Sequence, residues 1–435
     1  EMCIRDSYNS IEGLYATSNE TFVKHAINAL GEIDAPSEGE GYWYNIAKLI
    51  SSNTPRPLLQ KQLFVDISEL VQRDARSGIQ RVVKSVLKEL MDNPPKGYRI
   101  EPVYALLDGE GYRYARSYTL NLMGCSENFL RDEFIEFRQG DIFLGLDLQQ
   151  DITRNQLQKL LEMRRFGVKI HFVVYDLLPI LFERHFISGR NAAESHGNWL
   201  RAIGECSDSL VCISKSVADE LNTWMLENPI PRNGSLSVKS FHLGSDIQNS
   251  YASIGMPEDG ELVLKRMKKR ISFLMVGTIE PRKGYAQTLS AFETLWKHDY
   301  DINLVIVGKQ GWLVEQLVEK INAHPELGKR LFWLNGISDE YLEKIYTICD
   351  CLIVASEGEG FGLPLIEAAQ HKLPIIARDI PVFREVAGEY GFYFDGLKEV
   401  ELADAISCWL DLKRQNKHPR SDDMPWLTCC LLYTS

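Results

Sequence analysis

The chain has 435 residues and a mass of 49.7 kDa, which at roughly 100 to 200 residues per domain predicts two to four domains and excludes a single small binding module. Its 45% hydrophobic and 25% charged residues are ordinary globular usage and exclude collagen-like, low-complexity and wholly disordered chains. With 48 Lys+Arg against 60 Asp+Glu the formal charge is −12, so no nucleic acid is expected as a partner, and any phosphate ligand has to be met by local cations.

The longest apolar stretch, 171–182, is interrupted by Asp176 and falls short of the ~20 residues of a membrane span. The nine cysteines include no CxxC pair and no histidine partners at zinc spacing, and Cys349 and Cys351 stand too close on one expected strand to bridge each other. Reduced, buried thiols, no metal site and a cytoplasmic location are the expectation. Residues 1–7 and 429–435 read like translated sequencing-adapter sequence and are set aside, with the natural polypeptide expected to continue beyond both.

In chain order, residues 8–60 form a helical extension and linker: Phe22, Ala26, Ile27 and Leu30, then Trp43, Ile46, Ala47 and Ile50, follow helical spacing on either side of a Pro-Ser-Glu-Gly-Glu-Gly turn at 36–41. This piece either packs on the main body or ends an upstream domain of a longer multidomain polypeptide. Residues 61–250 alternate between strands at 63–67, 100–105, 141–146, 168–175, 210–213 and 238–243 and helices at 78–90, at 157–166 and from Ser214. A polar linker is expected at 251–269. A second alternation over 270–412 has strands at 271–276, 303–307, 331–334, 351–355, 374–377 and 391–394, and a truncated segment, 413–428, follows. Alternation of this kind predicts an α/β protein of two Rossmann-like, doubly wound parallel-sheet domains facing a cleft, with ligands at the carboxyl ends of the strands.

The unusual residues of the second domain gather at those ends. Its first strand runs into Thr278-Ile-Glu-Pro-Arg282-Lys283-Gly284, its second into Gly308-Lys-Gln-Gly311, its third into Asn335-Gly336-Ile337-Ser338 and its fourth into Ser356-Glu-Gly-Glu359-Gly360-Phe361-Gly362. Arg282 and Lys283 precede a helix expected to start near Gly284, so two cations and the free N–H groups of a helix start face one anion, a diphosphate being the natural fit; a solvated turn is the plain alternative. In Glu359-Gly-Phe-Gly-Leu363-Pro-Leu-Ile-Glu367 the glycines allow close backbone approach, Pro364 suits a first helical turn, and two carboxylates suit recognition of a polyol. Asp299-Tyr-Asp301 lies between a helix and the next strand and reads as a surface turn. The run 265–270 of five cations around Met267 reads as a solvated linker or as a contact with an anionic membrane surface.

The Glu359-x7-Glu367 element, with Pro-Arg282-Lys283-Gly ahead of it and the alternating architecture around both, resembles the retaining nucleotide-sugar glycosyltransferases of family 4, which have the GT-B fold. Val65-Asp-Ile-Ser-Glu-Leu-Val-Gln-Arg-Asp74, Ser77-Gly-Ile-Gln-Arg81 and Phe273-Leu-Met-Val-Gly-Thr-Ile-Glu-Pro-Arg-Lys-Gly284 further resemble bacterial mannosyltransferases of O-antigen and polysaccharide synthesis. The resemblance implies that Lys283 and Arg282 hold the donor pyrophosphate, Glu359 the hydroxyls of the transferred sugar and Glu367 the ribose. Gly360, Phe361, Gly362 and Leu363 would lie along phosphates and sugar, Gly308, Asn335, Gly336 and Ile337 would border the base, and Gly78 would bring backbone N–H groups to the diphosphate. The family's arginine falls at Thr278, leaving Arg282 to supply that charge. The family's histidine falls at Tyr175, which makes Asp176 the candidate for the acceptor-side catalytic contact. The implied reaction is transfer of a hexose, mannose from GDP-mannose as the best fit, to a lipid-linked oligosaccharide acceptor without metal or other cofactor, in the cytoplasm or at the inner face of its membrane. A nucleotide-sugar 2-epimerase of similar fold and a non-catalytic domain of a polysaccharide assembly protein are the competing readings.

Overall fold

The computed structural model describes residues 60–426, apart from 74–76, 123–130, 187–190, 233 and 245–252. The expected helices between 8 and 59 and the two end segments lie outside the described residues.

Parallel strands buried on both faces read as unbroken apolar runs, and two sheets are built from such runs. The first sheet comprises β1 (Lys61–Asp66), β2 (Tyr98–Ala105), β3 (Tyr112–Tyr114), β4 (Ile142–Gly145), β5 (Lys169–Val174), β6 (Ser209–Cys212) and β7 (Ser237–Ser240), in the order β3-β2-β1-β4-β5-β6-β7. Pairing is parallel from β1 through β4, β5 and β6 to β7. The edge strand β3 departs from the expectation: it pairs antiparallel to β2, because the loop between them is too short for a crossover helix and returns the chain as a hairpin.

The second sheet contains β8 (Ile271–Val276), β9 (Ile302–Val307), β10 (Leu331–Leu334), β11 (Cys351–Val354), β12 (Ile375–Arg378) and β13 (Gly391–Phe394), all parallel, in the order β10-β9-β8-β11-β12-β13. In both sheets the order reverses beside the first strand, and the loops leaving the carboxyl ends at that reversal form a natural crevice. The segment expected to be a linker contains the helix Gly260–Met267: Leu264 and Met267, three apart, are buried, and Gly260 accepts a hydrogen bond from the Tyr341 hydroxyl at 3.2 Å.

Each sheet has its own aromatic packing. Phe143 sits between Tyr112 (4.8 Å) and Phe172 (5.9 Å) in the first, and Phe273 between Phe292 (5.6 Å) and Trp409 (5.4 Å) in the second. A further apolar cluster joins Tyr175 and Ile213 of the first half to Phe361 and Val354 of the second. The loops leaving the carboxyl ends of the two sheets therefore meet. Among the described residues no helix is long and apolar enough to cross a membrane, and five cysteines carry free thiols, four of them buried and Cys408 exposed.

Candidate functional site

The chain leaves β8 at Gly277, makes a tight turn over Pro281–Lys283, and enters the helix Tyr285–Lys297 through Gly284, whose φ is +73°. A Cβ at Gly284 would lie 2.3 Å from the carbonyl of Ala355, so this glycine lets the Arg282-Lys283 turn nest against the end of β11. On the other side, Gly362 (φ +95°) starts the helix Leu363–Gln370 with Pro364 in its first turn, as the sequence predicts. The two turns present their charges to one another.

The Lys283 ammonium contacts Glu359 Oε1, and Ser356 Oγ donates to the same oxygen at 2.8 Å. Arg282 Nη1 lies 3.3 Å from Glu359 Oε2 and donates to the carbonyl of Gly358 at 2.9 Å, while Nη2 stands 3.0 Å from Glu280. Burial would raise the Glu359 pKa, but Lys283, Arg282 and the hydrogen bonds outweigh it and hold the carboxyl at about 2. Glu280 moves the other way: burial raises it despite Arg282 and Lys283. The predicted trio Arg282, Lys283 and Glu359 is thus one cluster, closed on itself. The cavity among Lys283, Tyr285, Glu359 and Pro364 measures about 10 Å³, room for a single water, so Glu359 occupies the space beside the Lys283 ammonium.

Glu367, 7% exposed, lies under its helix and accepts a hydrogen bond from the Tyr346 hydroxyl; burial raises its pKa, with Tyr346 and Arg81 partly opposing. The two carboxylates of the Glu359-x7-Glu367 element therefore have opposite electrostatics. Gly78 opens the helix Gly78–Asp92 behind the cap Ser77, and a Cβ there would meet nothing within 4 Å. Arg81, one turn later, reaches across to Asp339 at 3.1 Å. Arg81 stands three residues after Gly78 on this helix, and that spacing, visible in Ser77-Gly-Ile-Gln-Arg81, is the sequence signal for its place beside the helix start.

Gly308 follows β9, and its Cβ would fall 1.9 Å from the carbonyl oxygen of Gly277. Gly308→Ala is expected to lower stability by about 1–3 kcal/mol, because backbone is the obstacle on both sides; a denaturant melt checks it. Thr278 is half-buried in the same layer, whereas Asn335 and Gly336 are exposed and Ile337 is partly covered.

Contact between the two halves is made by the Gly358–Gly362 stretch. Gly360 packs so closely on Tyr175 that a Cβ would lie 2.1 Å from its carbonyl oxygen, and Ser214 Oγ donates to the Gly360 carbonyl at 2.8 Å. Phe361, 3% exposed, meets the His242 ring edge-on at 5.6 Å. Leu363 is half-buried beside it. Tyr175 points inward, its hydroxyl donating to the Leu146 carbonyl at 2.7 Å, so it does not offer the cleft a polar group in place of an imidazole. Asp176 is half-buried; its Oδ1 caps the Leu178 amide at 3.1 Å, which is the turn-capping alternative, while its charge is felt by Arg282. His196 bonds to the Asp176 carbonyl at 3.0 Å and fixes that turn.

Sequence reasoning missed one contact altogether. Glu385 accepts from the amides of Lys215 (2.7 Å) and Ser216 (2.8 Å) at the start of the helix Lys215–Glu227, from Ser216 Oγ (2.7 Å), and pairs with His242 at 2.7 Å. Burial pushes its pKa up, but these donors bring it down to about 2. Asp299 and Asp301 precede β9 at the amino edge, where Asp301 pairs with Arg270.

Residues 263–422 match the family described as Glycosyl transferases group 1. The chain is 43% identical over 414 residues to the serotype-specific mannosyltransferase WbdA of Escherichia coli, covering 95% of this chain and 48% of that protein. It is 28% identical over 154 residues to the O-antigen chain mannosyltransferase RfbU of Salmonella typhimurium, covering 33% of this chain and 42% of that protein. The chain spans about half the length of the curated relatives it matches. Among solved structures, Anabaena Alr3699/HepE in complex with UDP and glucose superposes with a TM-score of 0.58 at 13% identity, over 86% of this chain and 97% of that one. Sucrose-phosphate synthase from Thermosynechococcus elongatus gives 0.52 at 16%, over 82% and 92%. With its two parallel-sheet domains the chain has the GT-B fold, and over residues 263–422 it carries a domain of the group 1 glycosyl transferase family.

Proposed function

We propose that the chain is a retaining glycosyltransferase of family 4 that moves a hexose, mannose from GDP-mannose, onto a lipid-linked surface-polysaccharide acceptor. It would act as one part of a longer polypeptide, in the cytoplasm and peripherally at the inner face of the membrane. The observation that carries this reading is the Lys283–Glu359–Arg282 cluster at the carboxyl edge of a group 1 domain, beside two glycine-started helices. The likeness to mannosyltransferases over 95% of the chain supports the choice of sugar.

In this reading the donor diphosphate takes the place of Glu359 on Lys283, and Arg282 with the N–H groups at the start of the helix Tyr285–Lys297 shares its charge. Glu359, displaced from the ammonium, is free to accept hydrogen bonds from sugar hydroxyls. The open space above Gly78 gives a phosphate close access to the amides of that helix. As the sugar–phosphate bond breaks, its electron pair stays on the diphosphate. The acceptor hydroxyl attacks from the same face and gives its proton to the departing phosphate oxygen. Lys283 and Arg282 supply the positive charge this step needs, and the reading assigns no metal.

Thermal unfolding against GDP-, UDP- and dTDP-sugars without added metal tests it, since a ligand at ~100 times its Kd stabilises by about 2.7 kcal/mol. The expected result is a shift with GDP-mannose that Lys283→Ala abolishes. A folded sample that shifts with none of them points to a non-catalytic domain; a shift accompanied by conversion of the donor to its 2-epimer, with no nucleoside diphosphate released when a saccharide acceptor is added, points to an epimerase.

A further inference from the structure

Beside the charged cluster, loops from both sheets bring together aromatic side chains that the donor site does not use. The segment after β5 carries Leu181, Phe182, His185 and Phe186, and the loop after β9 carries Trp312 and Leu313. The rings of Phe186 and Trp312 lie 5.9 Å apart at 32°, and the Trp312 indole N–H donates to the His185 carbonyl at 2.8 Å. Phe182 stacks with His185 at 6.2 Å and covers Gly358, where a Cβ would fall 2.4 Å from its ring. Gly358 is the residue next to Glu359.

These rings belong to neither sheet's core; Phe186 and Trp312 are half-buried, and Leu181 and Leu313 are each 49% exposed. Leu313 also has φ +55°, a conformation costly for a leucine, so an apolar side chain is held in an unfavourable backbone state at the surface. The basic side chains beside the rings are paired: Arg184 and His185 both contact Glu357. An apolar, aromatic rim with a neutral set of hydrogen-bonding groups suits a ligand with C–H faces and hydroxyls and no charge.

We propose that Phe186 and Trp312, rimmed by Leu181 and Leu313, form a subsite for the acceptor that binds a neutral saccharide unit of the growing chain through its C–H face. The proposal rests on the glycosyl-transfer reading for its meaning, but its test does not need transfer to occur. A diphosphate does not fit this surface, because it offers no unpaired cation among the residues named. Stacking of the donor base on Trp312 is the rival occupant.

Saturation-transfer NMR on the full chain with α-linked mannose oligosaccharides of one to four residues is the experiment, paired with the GDP thermal shift. Sugar C–H signals of the trimer and tetramer are expected to receive saturation in the wild type, to lose it in Trp312→Ala and to regain it in Trp312→Phe. The GDP shift stays the same in all three proteins. With transfer measured, the acceptor KM in Trp312→Ala is expected to rise roughly tenfold for the longer oligosaccharides while the donor KM holds. No saccharide binding by the wild type, or binding unchanged in Trp312→Ala, overturns the subsite. Loss of the GDP shift in Trp312→Ala assigns the ring to the base and overturns it too. Saccharide binding by a wild type that no nucleotide stabilises keeps the subsite and removes the donor reading instead.

Discussion

Lys283→Ala is expected to lower kcat/KM for transfer by roughly 10²–10³-fold, and Glu359→Gln by a similar factor, because Lys283 meets the diphosphate both bound and departing and Glu359 holds the hydroxyls of the transferred sugar. The two residues form the central pair of the candidate site. Lys283→Ala leaves Glu359 with Arg282 at 3.3 Å and Ser356 at 2.8 Å, so its carboxylate stays partly compensated. Removing one partner of a buried pair costs about 3–5 kcal/mol when nothing replaces it, and these remaining contacts place the expected loss below that range. A double variant, Lys283→Met with Glu359→Leu, is expected to recover most of the melting temperature and none of the transfer, since an apolar pair of similar volume removes the charge imbalance without restoring phosphate binding. Steady-state rates and thermal melts on the three variants separate chemistry from folding. Wild-type kcat/KM in both single variants would put the donor site elsewhere.

What could be read from the sequence follows from how local each signal is. β8 and β13 were legible to the residue, because a buried parallel strand is an apolar run ended by glycine or a polar residue. The helix start at Gly284 was legible for the same local reason. β3 was not: Tyr112-Arg-Tyr114 is three residues long, and only its pairing with β2 makes it a strand. The helix Gly260–Met267 was hidden by its charge, since its three buried positions, Gly260, Leu264 and Met267, have meaning only in the packed fold, where Tyr341 bonds to Gly260. The site shows the same division. The sequence placed Arg282, Lys283, Glu359 and Glu367 at one sheet edge, but that Lys283 closes on Glu359, 76 positions away, depends on how two turns pack around Gly284. The Glu385 contact with the start of the helix Lys215–Glu227 joins residues 170 apart and leaves no trace in spacing.

Stability measured by thermal unfolding is expected to pass through a maximum between pH 4 and 4.5, falling on both sides for different reasons. On the acid side, Glu359 is held at about 2 in the fold against 4.5 ordinarily, so its contribution is complete above 4.5 and is lost as pH falls towards 2. Glu385 behaves alike, with a smaller effect because water screens it more. On the neutral side the sign reverses: burial raises Asp66 from 3.8 to about 7 and Asp147 to about 6, so between 4 and 7 the fold holds protons that the unfolded chain has released. Stability then declines as pH rises through that window, by roughly 2–4 kcal/mol for Asp66 at about 1.4 kcal/mol per unit. Both carboxyls have structural tasks that keep them buried. Asp66 accepts from the Ser68 amide at 3.0 Å and from its hydroxyl, and Asp147 accepts from the Leu70 amide at 2.7 Å, so together they hold the turn that leads to the helix of Gly78 and Arg81. Asp66→Asn keeps an oxygen for Ser68 but cannot ionise. It is expected to remove the Asp66 share of the decline between pH 4 and 7, leaving the smaller decline from Asp147 and from Glu220, which burial raises to about 7, and leaving the acid limb unchanged; a profile that rises steadily from pH 4 to 8 in the wild type would mean that Asp66 is ionised in the folded protein.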